Sequence, residues 1–167
     1  MTENHIQIRR ATETDLQGID LLQAANQQNV GGTLSAYMSR DWILEAIRTM
    51  PVIVAQQDNT LVGFLFISTP GMNRGIPIVK AMLDAFPLPA DTLISGPICI
   101  SASMRGQGLA HQLFLELGRI RPGLKCACFI RRDNTPSIRA HEKMGMKEVA
   151  SFPFHDADHA IFTYTAI

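Results

Sequence analysis

Cysteine is scarce, neither sign of charge accumulates, and no long hydrophobic run exists. Only Cys99, Cys126 and Cys128 occur in 167 residues. An odd count without zinc-ligand spacing speaks against a disulfide framework and a zinc module. All three lie in apolar runs, so buried free thiols in a reducing, cytoplasmic compartment are expected. Lys+Arg and Asp+Glu number 15 each, a formal net charge of zero. That balance offers no attraction to nucleic acid, although it leaves a local patch open. The longest apolar run, LVGFLFI at 61–67, is far too short to cross a bilayer. The stretch MTENHIQIRR has no apolar h-region, so no secretory signal is expected. Internal repeats and low-complexity tracts are missing too. What is present is ordinary globular material: 46% hydrophobic and 18% charged residues, in a length that fits one domain with a real core.

The pattern of that material is α/β. Ile6 and Ile8 alternate with polar residues as in a short strand. Thr12 and Asp15 resemble a capping box ahead of Leu16, Ile19, Leu22 and Gln23, which predicts a helix over about 13–27. NVGGT at 29–33 breaks it, and Ser35 is the expected cap of a second helix carrying Trp42, Ile43, Ala46 and Ile47. PVIVAQQ and TLVGFLFIS read as a hairpin turning at DNT. Residues 70–90 form a long excursion with a short amphipathic helix, its face marked by Val79, Met82, Leu83 and Phe86. An insertion packed on the sheet edge and a lid over a substrate site are both open readings of it. TLISGPICIS and LKCACFIRR read as strands. The second is apolar on both faces and so central. A helix over about 106–120 lies between them, striped with Leu109, Leu113, Phe114, Leu117 and Ile120. Thr135 is the expected cap of the next helix, with Pro136 at its first position and Gly145 ending it. Strands over about 147–154 and 159–166 close the chain around HDAD. The order predicts a mixed sheet with helices on its faces.

The stretch MRGQGLAHQLF at 104–114 carries the chemistry. Glycines at a helix start weaken it, so something must come close to that backbone. Unpaired N–H groups at a helix N-terminus, with no side chains at 106 and 108 and a small one at 110, suit a phosphate. Arg105 adds charge. A dinucleotide fingerprint would need glycine at His111, and the Gly-Lys-Ser/Thr of a Walker A loop is absent. Close helix–strand packing is the competing explanation.

Strand, R-x-x-G-x-A and helix together resemble the acetyl-CoA signature of the GCN5-related N-acetyltransferases, matched at Arg105, Gly108 and Ala110. NTPSIRAHEKMGM at 134–146 resembles the family's second block, N-x-x-A-x-x-x-Y-x-x-x-G-F, through Asn134, Ser137, Gly145 and Met146. The resemblance covers the whole element order and is most specific over 96–146. It implies a mixed, mostly antiparallel central sheet of about seven strands with helices on both faces, in a single domain with a helical insertion at about 70–90. It implies acetyl transfer from acetyl-CoA to an amine by direct attack in a ternary complex. The backbone at Ile98 and Ile100 would pair with the pantetheine arm, and an N–H of that strand would polarise the thioester carbonyl. Arg105, Gly106, Gln107, Gly108 and Ala110 would hold the pyrophosphate, and Asn134 would fix the arm. Where the family places a tyrosine as proton donor to the leaving thiolate, this chain has His141, the one catalytic candidate. That departure also leaves open a catalytically silent acyl-CoA-binding module. A small-molecule acceptor is expected before a protein amine. No nucleic acid, membrane or metal partner is expected, and family members often form homodimers.

Other residues are weighed against plainer roles. His155, Asp156, Asp158 and His159 invite a metal, but turn residues rarely all face inward. One of them is a candidate base, since the last hairpin borders the family's acceptor site. Tyr37 and Trp42 sit where an acceptor wall is usual, with core packing the alternative for Trp42. Glu45 is a base or a solvated residue. Lys125, Arg131 and Arg132 read as a solvated strand end.

Overall fold

The computed structural model describes residues 5–166, except Thr33 and Ser35. Seven strands and five α-helices alternate as β1 (Ile6–Arg10), α1 (Leu16–Ala25), α2 (Arg40–Thr49), β2 (Ile53–Gln57), β3 (Thr60–Ser68), α3 (Pro77–Ala85), β4 (Thr92–Ile100), α4 (Leu109–Ile120), β5 (Lys125–Arg131), α5 (Thr135–Lys143), β6 (Lys147–Phe154) and β7 (Ala157–Thr165). The strands form one sheet in the order β1-β2-β3-β4-β5-β7-β6. Every neighbouring pair is antiparallel except β4 and β5. The mixed, mostly antiparallel sheet expected from the sequence is therefore what forms.

Strand alternation sorts the core into two faces. On one, Leu113, Phe114 and Leu117 of α4 are at most 1% exposed and pack with Leu65, Cys126, Cys128 and Phe162. On the other, Ile43 and Ile47 of α2 meet Val54, Phe64 and Phe66. Farther along that face α3 sets Ile78, Val79 and Met82 against Ile94, Phe152 and Ile161. The 70–90 excursion thus covers the sheet face at its β6 edge, as the packed-insertion reading expected. Each such fully buried side chain contributes about 1.5–3 kcal/mol relative to exposure.

Helix starts depart from the sequence reading in three places. Ser35 lies outside the described residues, and α2 begins at Arg40, where the Ser39 side chain accepts from Trp42 N. The cap of α5 is Asn134, whose Oδ1 accepts from Ser137 N at 3.4 Å, one residue before the expected Thr135. Helix α4 starts at Leu109 rather than about 106, because Gly106 and Gly108 both adopt φ +77°. That left-handed conformation cannot continue a right-handed helix.

Candidate active site

Strands β4 and β5 pair only at Thr92–Lys125, Leu93–Cys126 and Ile94–Ala127. Beyond that, β4 stays with β3 and β5 stays with β7, so a wedge opens between them. The local cause is a register shift between Leu65 and Ile67, opposite Gly96 (φ +119°) and Pro97. A bulge bends its strand away, and proline has no N–H to donate across the gap. Ser101 N donates to Val62 O at 2.8 Å. Antiparallel alternation then turns the backbone groups of Cys99 toward β3 and those of Ile98 and Ile100 into the wedge. Consistent with this phase, Ile100 O accepts from Arg105 Nε at 3.3 Å rather than from a strand.

The wedge runs into the glycine turn. Added Cβ atoms at Gly106 or Gly108 would meet nothing within 4 Å. These glycines therefore do not serve helix–strand packing; the turn faces open space. Gln112 N, on Gly108 O at 3.2 Å, is the first amide in the α4 ladder. The amides of Leu109, Ala110 and His111 precede it and point out of the helix start, at the positive end of its dipole. Gln107 folds back, its Nε2 3.4 Å from Ser103 O.

Wedge and turn are the floor and one end of a cavity of about 1020 Å³. Asn134, Ser137 and His141 line it from α5. His141 is 3% exposed, with Nδ1 2.7 Å from Ser137 O, between Phe114 and Phe162. A carbonyl only accepts, so Nδ1 carries the proton and the neutral ring offers a lone pair at Nε2. Burial pushes its pKa down, against the Ser137 bond. The lowered pKa favours this neutral form, in which the proton sits at Nδ1 and Nε2 is left as an acceptor.

The opposite end is built from parts the sequence did not connect. The fully buried Gln23 clamps Met38, donating to its carbonyl at 2.8 Å and accepting from its N–H at 3.0 Å. Asn26, also buried, accepts at Oδ1 from Arg105 Nη2 at 2.7 Å, and its carbonyl accepts from Leu34 N at 3.0 Å. Arg105 thus ties the glycine turn to the α1–α2 connection. Trp42 packs edge-on against Phe66 and donates Nε1 to Met72 O at 3.2 Å, tying α2 to the start of the excursion. Ile76, Ile78 and Val79 then complete the cavity wall. No local signal marks Gln23 or Asn26, because their partners lie in a separate loop.

Several candidates lie elsewhere. Tyr37 is exposed and bonds Asp20 at 2.7 Å, and Glu45 is exposed. None of His155, Asp156, Asp158 and His159 lines the cavity. His155 and Asp156 form the hairpin turn at φ 47° and 60°, and Asp158 pairs with Arg132. Only His159 turns inward, stacked on Phe152 with centroids 5.1 Å apart. Among the described residues no group of three His, Cys, Asp or Glu could hold a metal. Lys125 is ion-paired with Asp91, whereas Arg131 and its partner Asp133 both line the cavity. The three thiols are buried, and burial pushes each up to about 12.

The family model for acetyltransferases of the GNAT family matches residues 19–146, well over half of the chain. The chain belongs to the GNAT acetyltransferase family. It is an acyl-CoA-dependent N-acetyltransferase, of the kind that moves an acetyl group from acetyl-CoA to an amine. Solved structures share the fold. An N-acetyltransferase from Staphylococcus aureus Mu50 is 21% identical, with 98% of this chain and 99% of that chain covered and a TM-score of 0.67. A GNAT acetyltransferase from Bacillus cereus ATCC 10987 is 16% identical over 98% and 99%, with a TM-score of 0.72. A GNAT phosphinothricin acetyltransferase from Sinorhizobium meliloti, solved in complex with acetyl-CoA, is 19% identical over 96% and 88%, with a TM-score of 0.69. No curated protein sequence matches the chain significantly.

Proposed function

We propose that this acetyltransferase binds acetyl-CoA along the wedge and transfers the acetyl group to the amine of a small molecule by direct attack in a ternary complex. The observation that carries the reading is continuity. The backbone of Ile98 and Ile100, turned away from β3, leads directly to the open glycine turn and to the α4 amides, along one cavity. Ile98 and Ile100 would receive the pantetheine arm as a short added strand. The backbone of Gly106, Gln107, Gly108 and Ala110 would take the pyrophosphate, where fixed N–H groups favour an anion. Arg105 would hold that turn to Asn26 and add positive charge beside it. Asn134 would border the arm while capping α5.

Acetyl-CoA supplies an acetyl group already activated as a thioester. The chain's contribution is position and charge. An N–H on the free edge of β4 would polarise the acetyl carbonyl. Gln23 and Arg105, through Met38 and Asn26, hold the acceptor wall at a fixed distance from that edge. A thiolate is a fair leaving group, so His141 serves as a packed wall residue. The small-molecule reading rests on the apolar wall that Met38, Ile76 and Val79 give the acceptor end.

Calorimetry with acetyl-CoA, followed by coenzyme A release over an amine panel, tests the reading. Binding with turnover of small amines supports it. Binding with turnover of peptide amines alone moves the acceptor to a protein. Failure to bind removes the proposal.

A further inference from the structure

The acceptor end of the cavity is walled mainly by apolar side chains. Its wall on the α2–α3 face of the sheet is Met38, Ile76, Ile78, Val79, Ile94 and Phe129. Its buried polar members are Asn73 and Cys99, both 4% exposed, and Gln28 lines it from the α1–α2 connection. Asn73 spends its amide N–H groups on Ser68 Oγ at 2.9 Å and Thr69 O at 2.8 Å. Cys99 stays a thiol, because burial pushes it up to about 12.

Among the described residues the cavity lining holds one carboxylate, Asp133. It sits in the turn before α5, 69% exposed and paired with Arg131 at 3.0 Å. Arg131 lines the cavity as well, and the remaining charged or basic groups on the lining, Arg105, His111 and Lys143, are exposed. Cys128 and the neutral His141 lie on the other face of the sheet, with Phe114 and Phe162. Apart from the Arg131–Asp133 ion pair, no charged side chain among the described residues of this wall is placed to pair with an ammonium.

This matters because the attacking nitrogen needs its lone pair. An alkyl ammonium resembles a lysine side chain, which titrates near about 10.4, so at pH 7 roughly one molecule in 2,500 is neutral. Moving the charged form into an apolar wall without a counter-charge is costly. An amine that is neutral at pH 7 meets neither obstacle.

Building on the N-acetyltransfer reading above, we propose that the acceptor is an apolar, weakly basic primary amine of the arylamine class, which enters already uncharged. Its nitrogen bonds to the acetyl carbonyl carbon as the C–S bond breaks. The nitrogen then gives up one proton and the leaving sulfur ends as the thiol with one, so amide and free coenzyme A balance the reactants. An arylamine nitrogen becomes strongly acidic on acylation, so water takes the proton and no protein base is required.

The test compares aniline with benzylamine, which share a ring and differ in basicity, by coenzyme A release from pH 6.5 to 9. Calorimetry first establishes acetyl-CoA binding, and then measures each amine against the protein with coenzyme A bound. Aniline is expected to bind, to show a level kcat/KM across the range, and to exceed benzylamine by at least about tenfold at pH 7. Benzylamine is expected to climb about tenfold per pH unit below its own pKa. Ile76→Asp, at a half-buried wall position, is expected to narrow the ratio at least about tenfold, with Ile76→Asn as the uncharged control and melting curves to verify the fold. Loss of acetyl-CoA binding would sink the acetyltransfer reading itself. Acetyl-CoA binding with no aniline turnover, or with benzylamine ahead at pH 7, overturns the arylamine proposal alone.

Discussion

At the α4 end of the cavity the lining is main chain: the wedge-facing edge of Ile98 and Ile100, two left-handed glycines and the first amides of a helix. At the α3 end it is side chain: Met38 from one connection, Ile76, Ile78 and Val79 from another, each held by a distant partner. Main chain is the same whatever the residue, so the first end suits a cosubstrate shared by many enzymes. Side chains are free to vary, so the second end is where we propose that the choice of amine is written.

The largest expected effect breaks the first end alone. Gly108→Glu puts a carboxylate at the mouth of the helix dipole, where the pyrophosphate is proposed to sit. Acetyl-CoA affinity should fall by about two to three orders of magnitude, roughly 3–4 kcal/mol by calorimetry. An unchanged affinity would remove the glycine turn from the cosubstrate site.

Much of the first end was readable in residue order, because backbone features need glycine and proline at fixed places. Gly145 was read as a helix-ending residue, and Gly106 and Gly108 as a place of close approach, although their left-handed conformation, which delays α4 to Leu109, was not foreseen. The strand and helix order followed from period-2 and period-3.6 patterns of long, well-striped segments such as Leu109 to Ile120. The second end was not readable. The clamp of Gln23 on Met38 joins residues 15 apart, and the bond from Arg105 to Asn26 spans 79. Only the fold brings them together, and glutamine or asparagine in a helix announces nothing. His141 was found by its place in a motif, but its proton was fixed by Ser137 O, which sequence does not show.

The next prediction severs the link between the ends. Arg105→Ala removes the bond to Asn26, a buried acceptor left without its charged donor. The acceptor KM should rise about tenfold, an effect near 1.4 kcal/mol, while acetyl-CoA affinity changes less. Steady-state kinetics with both substrates varied decides this, and an equal loss in both would place Arg105 wholly at the first end. Gly108→Ala is milder. The site is open, so the cost is a left-handed alanine, about 1 kcal/mol of stability read from urea unfolding. A much larger loss would mean the glycine packs against something.

The smallest effect concerns pH. Burial lowers the His141 pKa in the folded chain. Below about 6.5 the unfolded chain takes up a proton that the folded ring refuses. The stabilisation is full above that pH and is lost as pH falls toward the depressed folded value. His141→Phe, between Phe114 and Phe162, should flatten the fall in Tm between pH 7 and 5. A residual slope is expected from His159, also lowered mainly by burial. An unaltered slope would show that His141 is protonated in the fold.

The brief pairing of β4 with β5 has a consequence for solubility. A sheet ordinarily ends in two outer strands, and each is a template on which another chain can extend the ladder and begin an aggregate. This sheet carries a second pair of unpaired rims, beyond Ile94 on β4 and beyond Ala127 on β5, in its middle. Helices α4 and α5 flank that opening on one face and α3 on the other, with a bulge bending β4 away. A narrow arm of one strand's width can enter, whereas a full strand with side chains on both faces meets the walls. The fold thereby keeps an adhesive surface available to one slender guest and closed to copies of itself.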